Sequence, residues 1–126
     1  MGFAAPGAVG GHAETRALDY LVRRGLQKVT RNFRSRGGEI DLVMLDGECL
    51  VFVEVRYRKS SGFLTPAITV DNRKQRKILR TAALFLSRHD RYADQTIRFD
   101  VVAITGDEQR RINWVRDAFR PTDSTL

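Results

Sequence analysis

Two carboxylates in neighbouring strand-like segments are the residues best suited to chemistry. Asp41 lies in residues 39–45 and Glu54 in residues 49–58, and both segments are rich in β-branched and apolar side chains. A carboxylate in such surroundings is costly to bury unless it pairs with a cation or coordinates a metal ion. Two carboxylates with water and phosphate oxygens are a normal Mg²⁺ environment. The pair is therefore a candidate metal site, and a buried ion pair, for instance between Glu54 and an arginine of the first strand, fits the spacing equally well.

The turn between these segments decides whether the acids meet. Asp46-Gly47 is a strong hairpin signal, and a two-residue loop there places Asp41 opposite Phe52 and makes Glu54 its diagonal neighbour on one face. A three-residue loop without a bulge would put the acids on opposite faces. Because side chains alternate along a strand, the predicted register adds two cations to the acidic face: Arg56 and Arg58.

The residues around both acids resemble a known family. The motifs that carry the resemblance are GEIDL at 38–42, DG at 46–47, FVEVR at 52–56, NFR at 32–34 and RFDVV at 98–102, with the helical pattern around Glu14. Together they resemble the YraN-type uncharacterised family, over roughly residues 11–104. The resemblance implies a restriction-endonuclease-like fold that is related to Holliday-junction resolvases.

The resemblance also implies a PD-(D/E)xK site, in which acids on two strands bind a divalent metal. The matching acids are Asp41 and Glu54, with Mg²⁺ or Mn²⁺ as the implied cofactor. Arg56 stands where that pattern has a lysine; its guanidinium can stabilise a phosphate but cannot act as a general base. Glu14 resembles the first-helix acid that approaches the metal, and its helical spacing from apolar neighbours places it on the face expected to be buried.

Basic residues are concentrated beside these acids and on the second predicted helix. The chain has 22 Lys and Arg against 15 Asp and Glu, a formal charge of +7, so it should attract polyanions in a salt-dependent manner. Four cations share one face of that helix: Arg73, Arg76, Lys77 and Arg80. They repel one another and are stabilised by a polyanion. We expect nucleic acid, DNA more than RNA, to contact Arg34, Arg36, Arg58, Arg73, Arg76, Lys77 and Arg80, with a merely solvated role as the alternative.

Hydrophobic periodicity gives the order of the elements. Helices are predicted at 11–24 and 71–89, and strands at 26–33, 39–45, 49–58, 96–104 and 112–119. This αβββαββ order indicates one α/β domain at 11–120, restriction-endonuclease-like, with a mixed sheet of about five strands flanked by two main helices. Residues 59–70 lack a period and should form an exposed loop. Residues 1–10 and 121–126 are expected to be tails.

The expected function is that of a metal-dependent endonuclease acting on branched or single-stranded DNA. The alternative is a catalytically weak or inactive nucleic-acid-binding module on the same fold, and a weaker one is binding of an acidic protein. The single cysteine, Cys49, excludes an intramolecular disulfide and fits a reducing compartment, so we expect a cytoplasmic protein. No membrane partner is expected because no long apolar run is present. A homodimer is suggested only by fold analogy.

Overall fold

A computed structural model describes residues 8–58, 70–106 and 111–121. The elements along the chain are α1 (Ala8–Arg23), β1 (Gln27–Ser35), β2 (Gly38–Asp46), β3 (Cys49–Arg58), α2 (Asn72–Arg88), a short 3₁₀ helix (Asp90–Tyr92), β4 (Thr96–Thr105) and β5 (Arg111–Val115). The predicted mixed α/β architecture and its αβββαββ order are confirmed. No helix in this described part of the chain has the length and apolar character needed to cross a membrane.

The five strands form one sheet in the order β1-β2-β3-β4-β5. Neighbouring strands are antiparallel except β3 and β4, which are parallel. A parallel pair requires a long crossover, and the connection from β3 to β4 contains α2. The sheet is therefore mixed, and the two strands of the hairpin that carries both acids are interior strands.

Each helix covers a separate apolar cluster on the sheet. Side chains that alternate along the central strands supply both clusters, because successive residues point to opposite faces. The α2 cluster includes Ile40, Phe52, Ile78, Phe85 and Phe99. The α1 cluster includes Ala17, Leu21, Leu42, Val53 and Ile104. The result is a three-layer domain with helix, sheet and helix.

Several predicted boundaries differ from the structure. α1 begins at Ala8, three residues before the predicted start of the first helix at residue 11. The last strand ends at Val115 because the chain turns at Asp117, which has a φ of +55° and whose backbone amide donates to Asp100. The predicted loop lies outside the described residues except for Val70, and the predicted C-terminal tail lies outside them except for Pro121.

The predicted register of the acidic hairpin is wrong by two residues, because the loop lies one residue further along the chain. Asp46 pairs with Cys49, which makes Gly47 and Glu48 the two-residue loop. Gly47 has a φ of +62°, which glycine adopts without steric cost. Asp46 remains in the strand and accepts a hydrogen bond from Arg98 over 3.0 Å. The last regular pair towards the acids is Leu42 with Val53, so the next positions place Asp41 opposite Glu54 instead of diagonal to it.

Candidate functional site

A groove of about 880 Å³ lies between the acidic hairpin and the first two turns of α2. Its walls bring together the two acids singled out from the sequence with cations from β1 and α2. The lining residues are Arg34, Gly38, Glu39, Asp41, Glu54, Asp71, Arg73, Lys74, Lys77 and Ile78. The groove thus combines carboxylates at its base with ammonium and guanidinium groups around them.

Asp41 lies where β2 changes the face that it presents. Ile40 packs in the α2 cluster and Leu42 in the α1 cluster, whereas a regular strand would place both on one side. The partner strand is irregular at the same level, because Asn32 has a φ of +56° between two paired residues. Through this irregularity the Asp41 carboxylate lines the groove, and its Oδ2 accepts a hydrogen bond from the Val55 backbone amide over 2.7 Å.

Burial raises the pKa of Asp41 to about 8, and the neighbouring Glu54 carboxylate adds to this rise. The hydrogen bond from the Val55 amide acts in the opposite direction, while Glu14 and Glu39 contribute smaller increases. Asp41 is therefore an acid in surroundings that hold too little positive charge for its ionised form. A cation placed beside it would favour ionisation.

Glu54 is buried, with 6% of its surface exposed, and it is paired with two cations. Lys74 Nζ lies 2.9 Å from its Oε2, and an Arg56 guanidinium nitrogen lies 3.6 Å from the same oxygen. The alternative of an ion pair between Glu54 and an arginine of the first strand is wrong about the partner. Glu54 pairs with Lys74 and Arg56, whereas Arg31 of β1 pairs with Glu14 over 3.4 Å. A buried carboxylate needs such compensation.

Lys74 is a site residue that was not predicted from the sequence. Asp71 caps α2 and accepts a hydrogen bond from the Lys74 backbone amide over 2.8 Å, which fixes the start of the helix above the groove. A signal for its position was present, because Lys74 precedes the buried Ile78 by four residues and so lies on the same side of the helix. Lys74 was not identified because the inner face of the helix was predicted from apolar residues alone.

Glu14 lies close enough to Asp41 to raise its pKa, but it is held by Arg31. Its side chain is 13% exposed, in agreement with the buried face expected from helical spacing. Among the residues that the structure describes, no group of three or more His, Cys, Asp or Glu side chains is arranged to hold a metal ion. Glu14 therefore acts on Asp41 through its charge.

The predicted nucleic-acid-contacting cations divide into two sets. Arg34, Arg73 and Lys77 line the groove, and Arg34 also lies 3.4 Å from Glu39 at an exposed position. The remaining four are not lining residues: Arg36, Arg58, Arg76 and Arg80. Arg36, Arg76 and Arg80 are exposed, and Arg58 is half-buried at the end of β3. Of the four cations on the predicted basic face of α2, only Arg73 and Lys77 line the groove.

The donor set of the groove fits a small divalent cation. Asp41 and Glu54 supply carboxylate oxygens, the ligands that Mg²⁺ and Mn²⁺ prefer, and two protein carboxylates suffice when water and substrate phosphate complete the shell. The raised pKa of Asp41 is the observation that favours this fit, because a divalent charge would relieve the crowding of two carboxylates. Lys74 would have to leave the Glu54 oxygen that it occupies.

A second buried acid, Asp100, has a structural role. It is fully buried and accepts hydrogen bonds from the Arg98 guanidinium, the Trp114 indole and the Asp117 backbone amide. These contacts join β4 to β5 and to the turn after β5. Asp100 is thus the ion-pair partner of Arg98, and Trp114 is an anchor between β5 and β4.

Comparison with known proteins identifies the family to which this chain belongs. A family model described as "Uncharacterised protein family UPF0102" matches residues 13–104. A UPF0102 protein of Pseudomonas putida is 46% identical over 121 residues, covering 94% of this chain and 98% of the relative. One of Stutzerimonas stutzeri is 50% identical over 111 residues, covering 87% and 92%, and one of Coxiella burnetii is 46% identical over 110 residues, covering 87% and 90%. The YraN-type resemblance is thereby confirmed, and the chain belongs to the uncharacterised protein family UPF0102.

Proposed function

We propose that this protein is a metal-dependent nuclease that hydrolyses phosphodiester bonds in DNA. The observation that carries the proposal is the meeting of Asp41 and Glu54 at the base of a cation-lined groove. The fold is proposed to be restriction-endonuclease-like, with the two acids as the PD-(D/E)xK pair. A cytoplasmic location follows as part of the same proposal.

Each groove residue has a role in this reaction. Asp41 and Glu54 would hold the divalent ion, and Val55 fixes one Asp41 oxygen through its backbone amide. When bound, that ion supplies electrostatic stabilisation of the charge that develops on the scissile phosphate. Arg56 adds a permanent positive charge beside Glu54, which suits phosphate stabilisation but not proton abstraction.

Lys74 supplies the amine that Arg56 cannot provide. Its ammonium reaches the base of the groove from the first turn of α2 and already contacts Glu54. A lysine amine can lose its proton and take one from a nucleophile, whereas a guanidinium remains protonated. We therefore assign to Lys74 the positioning of the attacking water or of a phosphate oxygen, once it releases Glu54.

The substrate is proposed to be branched or single-stranded DNA, bound through its phosphates. The cations Arg34, Arg73 and Lys77 stand around the two acids, and the start of α2 directs the positive end of its dipole towards the groove. Contacts of this kind position a backbone and carry no base information. Cleavage should therefore depend on the shape of the DNA more than on its sequence.

A cleavage assay tests the proposal. Fluorescently labelled four-way junctions, flaps and single strands are incubated with Mg²⁺ or Mn²⁺ and the wild-type protein, Asp41→Asn or Glu54→Gln. Each variant should lose at least about 100-fold in rate, because loss of a ligand removes several kcal/mol of transition-state stabilisation. Asp90→Asn and Glu48→Gln, which neutralise exposed acids outside the groove, serve as controls. Activity that survives both groove substitutions would refute the site.

A second candidate is a nucleic-acid-binding module without turnover. The pairing of Glu54 with both Lys74 and Arg56 favours it, because two cations already satisfy this carboxylate. The Arg56→Lys variant separates the candidates. Cleavage that is seen only in this variant would favour the binding module, whereas cleavage by the wild-type protein supports the nuclease.

A further inference from the structure

A second cluster of cations lies on α1 and beside β5, away from the groove. We call it the arginine surface and define it by four guanidinium groups and two aromatic rings: Arg16, Arg23, Arg24, Arg116, Tyr20 and Trp114. One shallow depression is lined by four of these residues together with Asp19 and Ile112; the four are Arg16, Tyr20, Arg23 and Arg24. The other two residues join this depression through ring contacts.

The aromatic rings hold two of the guanidinium groups in place. The Arg24 guanidinium carbon lies 3.7 Å from the centre of the Tyr20 ring, and that of Arg116 lies 4.2 Å from the Trp114 ring. The rings themselves meet edge to face with centres 6.3 Å apart. Cation–π contacts of this kind position the charges before any partner binds.

The positive charge of this surface is poorly compensated within the protein. Over residues 8–58, 70–106 and 111–121, no carboxylate lies within ion-pairing distance of Arg16, Arg23, Arg24 or Arg116. Asp19 is the acid of the depression, so the three arginines that line it face one carboxylate. Such crowding of like charges is relieved by a polyanion.

The geometry favours phosphates over bases as the ligand. A base would have to stack on Tyr20 or Trp114, but Arg24 and Arg116 cover a face of each ring. The Trp114 indole N–H is also engaged, since it donates to Asp100 over 2.9 Å. Guanidinium groups bind phosphate oxygens in a bidentate manner.

The arginine surface and the groove lie on opposite sides of the sheet. Tyr20 and Trp114 pack against the α1 cluster, whereas the groove is formed under α2. A short duplex is stiff over its length, because the persistence length of DNA is about 150 base pairs. A duplex seated in the groove therefore cannot bend around the domain to reach α1.

We infer that the arginine surface binds the phosphate backbone of a second nucleic-acid segment while the groove holds the first. This inference rests on the proposed function for its partner, nucleic acid, but not on metal binding or cleavage. A molecule whose arms diverge can contact both sides at once, and its affinity then exceeds that for either side alone. A single linear duplex uses one side at a time.

Binding measurements in EDTA test this inference without cleavage. Fluorescence anisotropy compares a four-way DNA junction with a 20-base-pair linear duplex, for the wild-type protein, Arg23→Glu/Arg24→Glu and Arg73→Glu/Lys77→Glu. Arg88→Glu/Arg91→Glu is the control, because it makes the same charge change at exposed residues of neither surface. Circular dichroism confirms that each variant is folded.

The arginine-surface variant should bind the junction about tenfold more weakly, while its affinity for the linear duplex stays within about twofold. Its salt slope on the junction should fall by about two, one for each lost phosphate contact. An unchanged junction affinity would overturn the inference, as would an equal loss on both DNAs. So would poly-glutamate that binds at this surface in preference to DNA. Failure of the cleavage assay leaves these outcomes unaffected, so the two proposals fail separately.

Discussion

At the scale of single residues, the burial of the two groove carboxylates is compensated in different ways. Glu54 shares one oxygen between Lys74 and Arg56, whereas Asp41 accepts a hydrogen bond from a backbone amide and has a pKa raised to about 8. A divalent ion that binds both acids would therefore displace a proton from Asp41 and Lys74 from Glu54. Proton release on metal binding is the expected consequence.

The stability of the metal-free protein should fall as pH rises from about 4 to about 8. Over this range the folded protein keeps the Asp41 proton, whereas the unfolded chain, with an ordinary aspartate pKa of 3.8, has lost it. The state that binds more protons loses stability as pH rises. Urea unfolding in EDTA at several pH values measures the effect. Asp41→Asn should flatten this dependence, and an identical pH profile in both proteins would contradict the burial of an acid at this position.

Replacing Lys74 should change metal binding and cleavage in opposite directions. Lys74→Met removes the cation that competes for Glu54 Oε2, so Mn²⁺ should bind about tenfold more tightly by calorimetry. Cleavage should fall about 100-fold, because the amine that positions the nucleophile is lost. Lys28→Met is the matched control, because Lys28 is an exposed lysine of β1 that is not among the residues lining the groove. Weaker Mn²⁺ binding by the Lys74 variant would show a purely structural role.

At the scale of elements, the start of α2 and the irregular hairpin form the site together. Asp71 caps the helix, and the face change at Asp41 turns that carboxylate into the groove. These two features have different origins in the sequence. An aspartate before a helical segment is a recognisable cap, whereas the positive φ of Asn32 follows from the pairing of the whole hairpin.

Removal of the α2 cap should destabilise the protein modestly. Asp71→Ala leaves the Lys74 amide without its acceptor and should cost about 1 kcal/mol in the free energy of unfolding, measured with urea. Asp71→Asn retains a side-chain acceptor and should cost only a few tenths of that. Equal stability of the alanine and asparagine variants would show that the cap contributes nothing.

Periodicity in the sequence was enough to predict the elements, but not how they meet. Both helices and all five strands could be predicted because apolar residues recur at spacings set by backbone geometry. The predicted hairpin register is wrong by two residues, since Asp46 is held in the strand by Arg98, which lies on β4 and is distant in the sequence. The contact between Lys74 and Glu54 was missed for the same reason, because it joins two elements and no local pattern records it.

At the scale of the whole molecule, the excess of positive charge is distributed over both sides of the sheet. The formal charge of +7 by itself indicates a polyanionic partner. The fold divides that charge between the groove and the arginine surface. The second of these was not predicted, because its residues come from α1 and the residue after it and from β5 and the turn after it, which are far apart in the chain.

Nucleic-acid binding should weaken steeply as salt increases. Three groove cations that neutralise three phosphates imply roughly a 40-fold loss of affinity between 50 and 200 mM salt. Anisotropy with a linear duplex over this range measures the slope. Arg73→Gln/Lys77→Gln should reduce the slope by about two. An affinity that does not change with salt would contradict binding through phosphates.

Crystallography with Mn²⁺ tests the proposed metal site most directly. Crystals are soaked with Mn²⁺ above pH 8, where Asp41 is ionised, and the ion is located by its anomalous signal. The proposal predicts a peak about 2.1 Å from one oxygen of Asp41 and one of Glu54, with Lys74 displaced from Glu54. No peak in the groove, with Lys74 still on Glu54, would contradict it and leave the pair as a buried ion pair.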